Sequence, residues 1–346
     1  MPSKIKGAFT TGRVIDVEPA GSDWRITIDN AIANGVETDL LRIRMPAKDK
    51  PPELGRGIEF KADILPPFAP TAIGSFDFGL YSYYKKYSGS GRLFDSYKYS
   101  SIQYDSRFID KILFNFKIIK EKLNSAVFST MSRDEAGVVI SMMTGDIYAV
   151  SKRVAKNYRA AGISHIISIS GFHMSLLAAS VFFAVRTFLA FMPFIALRIN
   201  TKKLAAACAF FATLFYLTLS GARIPAARAF IMTTLGLGAI LFDRSVLSMR
   251  MVSASAAATL GIWPESLLNP GFWLSFAAVA VLVRLYDSRK NRDKRGGIAK
   301  AIKDNITASA CIGLAITPFV IYGFNQAQIY AVAGNMIAVP IVSTVA

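Results

Sequence analysis

A polytopic α-helical membrane bundle preceded by a small β-barrel domain is the fold this sequence predicts. Three observations predict it. Residues 10–66 alternate apolar and polar positions in short runs split by turn residues. Beyond about residue 160, long apolar blocks alternate with mostly basic loops. The chain of 346 residues is 53% hydrophobic and carries a formal net charge of +17. Soluble domains are about 45–50% apolar, so distribution rather than average composition separates the two parts.

The strands come first. "GRVIDV", "WRITI", "LLRIRM" and "IEFKADIL" largely alternate, and "EPAGSD", "NAIANG" and "PPELGRG" separate them. Four or five short strands suggest a small closed barrel over residues 1–70. An OB-like barrel is the commonest five-stranded solution, and an SH3-like one fits nearly as well.

Residues 71–160 read as an aromatic and basic linker followed by amphipathic helices. Aromatic side chains from Phe76 to Tyr104 are interleaved with lysines and arginines, and Tyr83, Tyr84, Lys85, Lys86 and Arg92 are the candidate contacts. Two readings fit. Aromatics among cations stack bases and hold phosphates of a single strand, and tyrosines beside a membrane form an interfacial belt. "GSGR" in this stretch is no phosphate loop, since neither a strand nor a helix start frames it. From Asp105 to Leu123 apolar residues recur at helical spacing with lysines between them, giving a basic amphipathic helix.

The apolar blocks begin at about residue 166 and number six or seven, near the roughly 20 residues that cross a bilayer. The first could break at Pro193. Loop charge orients them: "RINTKK", "DRSVLSMR" and "RLYDSRKNRDKRGGIAKAIKD" are basic, while "SGARIP", "PESLLNP" and "NQAQ" carry one positive charge or none. The positive-inside rule puts the basic loops in the cytoplasm and the N-terminal domain on the extracytoplasmic side. No apolar leader precedes the strands and the sequence stops inside an apolar block, so a piece of a longer protein is expected. Cys208 and Cys311 lie in separate blocks with no disulfide or metal spacing, and no cofactor is called for.

Both histidines of the chain fall in "GISHIISISGFHM", just ahead of the first block. On one helix, eight residues separate His165 and His173 by about 12 Å, too far for one metal ion. Two readings remain. In one, Ser170 is the N-cap of a helix starting at Gly171. In the other, a hydroxyl-rich irregular stretch lines an outer vestibule, with backbone N–H groups and His173 facing an anion. Arg186 and Arg228 are cations at membrane depth, where a charge costs about 2.5–3.5 kcal/mol on insertion scales. Either snorkels to an interface or faces a cavity, and Pro225 beside Arg228 hints at a broken helix.

At these residues the sequence resembles the ComEC/Rec2 competence family, whose members form the inner-membrane channel for transforming DNA. "RAAGISHIISISGFHM" (159–174) is similar to the family's hallmark and "LSGARIPAARAFIM" (219–232) to its second motif. "NPGFWLSFAAVAVL" (269–282) is similar to the third and "GNMIAVP" (334–340) to a weaker fourth, in the family's order. The resemblance implies an OB-like extracytoplasmic domain and a competence-type transmembrane domain over 161–346. It implies channel or DNA-path roles for Ser168, Ser170, Gly171, His173, Arg228 and Ser275. Relatives often have a polar residue before the arginine, where this chain has Ala227, which leaves the partner of Arg228 open. Full-length relatives commonly end in a metallo-β-lactamase-like nuclease domain, and no histidine follows His173 here. The implied partners are single-stranded DNA, membrane lipid, a cytoplasmic motor or helicase and a periplasmic DNA receptor, with a homo-oligomer left open. A transporter rather than an enzyme is expected. The competing reading is a permease for a small anionic solute with an external regulatory domain.

Overall fold

The computed structural model describes residues 4–20, 23–46, 50–70, 77–94, 96–100, 108–192, 194, 198–243, 246, 248–290, 298–324 and 330–345. Phe76, Tyr104, Pro193, the "NQAQ" loop and the centre of the long basic loop lie outside them. The chain divides into two units, residues 1–118 and 119–346.

The first unit is a six-stranded sheet: β1 (Ile5–Ala20), β2 (Asp23–Ala33), β3 (Val36–Pro46), β4 (Gly57–Leu65), β5 (Tyr87–Leu93) and β6 (Lys98–Tyr99). β1 pairs antiparallel with both β2 and β4, so the hydrogen bonding runs β1-β2-β3-β5-β4 and returns to β1. Of the pairings, β3–β5 is parallel. β1 serves two partners because its register shifts between Thr11 and Arg13 and again between Val14 and Asp16. Such bulges bend a strand and raise its twist. Asn34 and Gly35, both at positive φ (48° and 81°), close the β2–β3 hairpin. This is the Asn-Gly signature of a two-residue turn. The residues ahead of it in "NAIANG" are strand, not turn. Inward side chains such as Ile26, Ile28, Leu41, Ile43, Ile58 and Ile64 are fully buried, each stabilising the unit by about 1.5–3 kcal/mol.

β5 corrects the reading of "GSGR", which lies inside a strand. Its inward positions are Gly89 and Gly91, where a Cβ would run into the backbone of Leu65 and Asp63 on β4. Glycine is needed for that approach, and it also erases the alternation by which the other strands are recognised. Ahead of β5, helix α1 (Phe78–Tyr84) starts where the Asp77 carboxylate accepts from the Leu80 N–H at 2.8 Å.

The helices that follow are α2 (Phe108–Thr130), α3 (Arg133–Thr144), α4 (Lys152–Ala160) and the single turn α5 (Ser164–Ile167). The predicted amphipathic segment is the first part of α2. Gly145, at φ 71°, ends α3 in a left-handed cap. Five helices are long and apolar enough to cross a membrane: α6 (Gly171–Ala190), α7 (Thr201–Leu219), α8 (Ile224–Leu241), α10 (Pro270–Lys290) and α11 (Ile298–Phe324). Two further apolar helices, α9 (Met249–Ile262) and α12 (Ala331–Val345), are shorter. The six or seven apolar blocks thus become five long helices and two short ones among the described residues. Large side chains such as Phe183, Phe211 and Leu314 stay exposed on the long helices, as lipid-facing surfaces require.

Candidate functional site

The hallmark segment is irregular before it is helical. Ile166, Ile167 and Ile169 are buried and pin it down, while Ser168 sits in an extended link with its hydroxyl on the His165 carbonyl. Ser170 is the N-cap of α6. Its N–H donates to His173 Nδ1 at 3.3 Å, and its hydroxyl lies 3.1 Å from the same nitrogen. The imidazole therefore fills the place that Glu or Gln takes in a capping box. Both contacts use Nδ1 as an acceptor, which assigns the ring proton to Nε2. That Nε2 is buried with no hydrogen-bond partner among the described residues. An unmet buried donor costs about 1–3 kcal/mol, so the hallmark holds a polar atom that no other described residue satisfies. Gly171 is exposed, and a Cβ there would meet nothing within 4 Å.

Ile169 and Met174 pack on Ala226 and Ala229 of α8, with Tyr216, Leu217 and Phe230 around them. The first and second motifs thus share one core. Arg223 caps α8 and Pro225 occupies its first turn, where a missing N–H costs nothing. The proline starts this helix and does not break it. One turn on, Arg228 is 3% exposed, so it is enclosed by protein and does not snorkel. Its Nη2 donates to the Gly271 carbonyl at 3.0 Å and to Ser275 Oγ at 3.3 Å, both on α10. These are the partners that Ala227 left open, and they join the second motif to the third. Among the described residues no acid pairs with Arg228, and its Nε has no partner. Arg186, by contrast, is exposed, its guanidinium 5.8 Å from the Phe182 ring.

The fourth motif closes on the first. A Cβ on Gly334 would collide with the Ala161 carbonyl, and one on Gly162 would collide with Ala331. Gly162 also has φ 72°. The two backbones cross in contact, an approach that small residues make possible. Gly162, Gly334 and Tyr216, whose hydroxyl donates to the Met142 carbonyl, were not singled out from sequence. The glycines were visible in the motif strings, but nothing in those strings pairs them.

The N-terminal candidates lie in the other unit and form a separate group. Tyr83 is 77% exposed, its ring edge-on to Tyr84 at 5.5 Å. Lys85 caps α1, and Lys86 takes a left-handed conformation at φ 58° that turns the chain into β5. Arg92 is exposed on β5 beside Arg44 of β3. Arg42 covers the Tyr87 ring at 4.8 Å. Burial pushes the Tyr87 hydroxyl above its ordinary pKa, with Arg42 pulling the other way.

The profile of the family described as "Competence protein" matches residues 142–346. Over 294 residues the chain is 26% identical to ComE operon protein 3 of Bacillus subtilis (strain 168), covering 83% of this chain and 34% of that one. It is 31% identical over 175 residues to Competence protein ComA of Neisseria gonorrhoeae, covering 49% of this chain and 25% of the relative. Uncharacterized protein YcaI of Escherichia coli (strain K12) is 24% identical over 257 residues, covering 72% and 34%. The chain thus spans between a quarter and about a third of the length of these relatives. No solved structure matches it. The five apolar helices fall within the matched segment, which makes this a multi-pass membrane protein. With all four motifs inside that segment and linked by packing from fourth to first to second to third, the chain belongs to the competence protein family.

Proposed function

We propose that this chain is a membrane component of DNA uptake, whose bundle passes one DNA strand across the cytoplasmic membrane. The observation that carries the reading is the linked motif cluster. In it, the buried cation Arg228 braces α8 to α10, and His173 presents an unmet Nε2 donor beside the hallmark cap. The family's description and the gonococcal relative's name both say competence.

On this reading Arg228 and Ser275 brace the path rather than line it, and Ser168, Ser170, Gly171 and His173 form its mouth. The five strands that pair in a ring are an OB-like barrel on the extracytoplasmic side, the side the loop charges favour. A single strand is a polyanion thin enough to pass between helices, and a net charge of +17 lowers its free energy along the route. The chain acts as a transporter and not as an enzyme. With no Walker A pattern in the sequence, a cytoplasmic partner supplies the drive, and a periplasmic receptor delivers the DNA.

The test follows labelled double-stranded DNA in cells lacking the gene, with external DNase added after uptake. Label should stay outside the inner membrane, and the full-length gene should restore protected DNA in the cytoplasm. Arg228→Ala should lower protected DNA at least tenfold while the protein stays in the membrane, since loss of its buried charged hydrogen bonds is worth about 1.5–3 kcal/mol, and His173→Ala should lower it less, because its hydrogen bonds are those of a neutral ring. Unchanged uptake in the deletion would overturn the reading and favour a permease for a small anionic solute. Normal uptake by both variants would remove the roles assigned to these two residues.

A further inference from the structure

Helices α10 and α11 leave an open groove of about 680 Å³ between them, within the roughly 300–1,000 Å³ of ligand clefts. Ala280, Arg284 and Leu285 on α10 and Cys311, Leu314 and Ala315 on α11 line it. Residues four apart share a helix face, so each set is one stripe, and the alanines and the cysteine leave the space. Phe276 and Val283 of α10 pack with Val252 in the bundle core. The groove lies round the helix from that core, and Leu314 on its rim is 77% exposed. Its walls are apolar except at Arg284. That residue lies inside the apolar span Pro270–Ser288, four residues before its end and just ahead of the strongly basic loop. Arg228 has a carbonyl and a hydroxyl to donate to, and Arg186 lies against a ring. The Arg284 guanidinium makes no hydrogen bond or ion pair among the described residues. A cation at this depth is costly unless it meets an anion or reaches the interface, and an apolar stem can follow the groove wall while the head rises.

We infer that this groove is a binding site for one anionic phospholipid, with an acyl chain between α10 and α11 and the headgroup phosphate on Arg284. The two halves of the site ask for the two halves of such a lipid. An apolar wall gives a soluble anion nothing to bind, and an unpaired cation gives a neutral lipid no net charge to attract. A helix covering the groove would have to bring an acid of its own, because a buried charge must be paired. Basic pockets between membrane helices hold acidic headgroups in this way. The site does not depend on what the bundle transports, so it stands or falls apart from the uptake reading.

The experiment is native mass spectrometry of the full-length protein in detergent, with phosphatidylglycerol or phosphatidylcholine of the same acyl chains added. The first bound lipid should favour phosphatidylglycerol about fivefold, the worth of one cation beside an anionic headgroup. Arg284→Gln should erase that preference, and Arg284→Lys should keep most of it. Equal binding of the two lipids by the native protein would overturn the inference, as would a preference that survives Arg284→Gln. A second measurement locates the lipid. A photo-cross-linker placed by Leu314→p-benzoylphenylalanine, at a position too exposed to disturb folding, should capture phospholipid in membranes and gain its mass. Capture of protein instead would show that another helix, from this chain or from a second copy, covers the groove, and would overturn the lipid site.

Discussion

The sheet and the bundle are held together by opposite means. In the sheet more than half of the fully buried positions are large aliphatics, Ile26, Ile28, Leu41, Ile43 and Ile64 among them, beside alanines such as Ala31 and Ala62. Ion pairs such as Arg13–Asp29 and Lys117–Asp16 belong to the same unit. In the bundle the buried positions are mostly small, among them Ala205, Ala206, Ala209, Ala226, Ala229 and Thr213, and the buried cation Arg228 leans on a carbonyl and a hydroxyl. Water drives large side chains inward, at about 25 cal/mol per Å² of apolar surface buried. Lipid offers no such drive, because it is as apolar as leucine, and helices associate through close approach of small residues instead. One chain thus follows both rules, each in its own segment.

If that contrast is right, the sheet should fail on truncation and the bundle on enlargement. The largest effect is expected for Ile28→Ala, which should cost about 2–5 kcal/mol. Hydrogen exchange of the full chain should show weaker protection in β1–β5 and unchanged protection in the long helices. Next come Gly162→Ala and Gly334→Ala, where overpacking costs about 1–3 kcal/mol, with the left-handed backbone adding to it at Gly162. Thermal unfolding in detergent should register both, while Gly171→Ala, which meets nothing, should unfold like the native chain. A Gly171→Ala protein that is stable yet takes up less DNA would sharpen the case for that glycine. If Gly162→Ala proves silent, the close crossing is not what holds the bundle. The smallest effect belongs to the exposed Arg153–Asp134 pair. The hydrogen bond from Arg153 holds Asp134 below the usual carboxylate range. Its contribution is therefore present above the ordinary Asp pKa of about 3.9 and disappears as pH falls through the lower folded value. Arg153→Ala should lower the thermal midpoint only slightly at pH 7, and in acid, once Asp134 is protonated, the variant and the native chain should unfold alike.

Much of this was legible in sequence because it repeats. Alternation gives β1 to β4, and long apolar runs give the five long helices. β5 escaped because its inward positions are Gly89 and Gly91, which offer no side chain to alternate. For His173 the sequence posed a cap against a polar mouth, and the structure gives the cap, with the imidazole itself as the reciprocal partner of Ser170. The spacing is that of a capping box, disguised by a histidine where Glu or Gln is expected. The partners of Arg228 could not be read at all, since Ser275 lies 47 residues away and only helix packing brings it near.

The crossing of Gly162 with Ala331 and of Gly334 with Ala161 also sets a clock. At about 5–20 residues per second, a ribosome that has made residue 162 needs roughly 10–30 s more to make residue 334. For that interval the hallmark loop lacks the backbone it will rest against. The hallmark segment is therefore among the last parts of the bundle to settle, and a nascent chain is structurally incomplete there until α12 arrives.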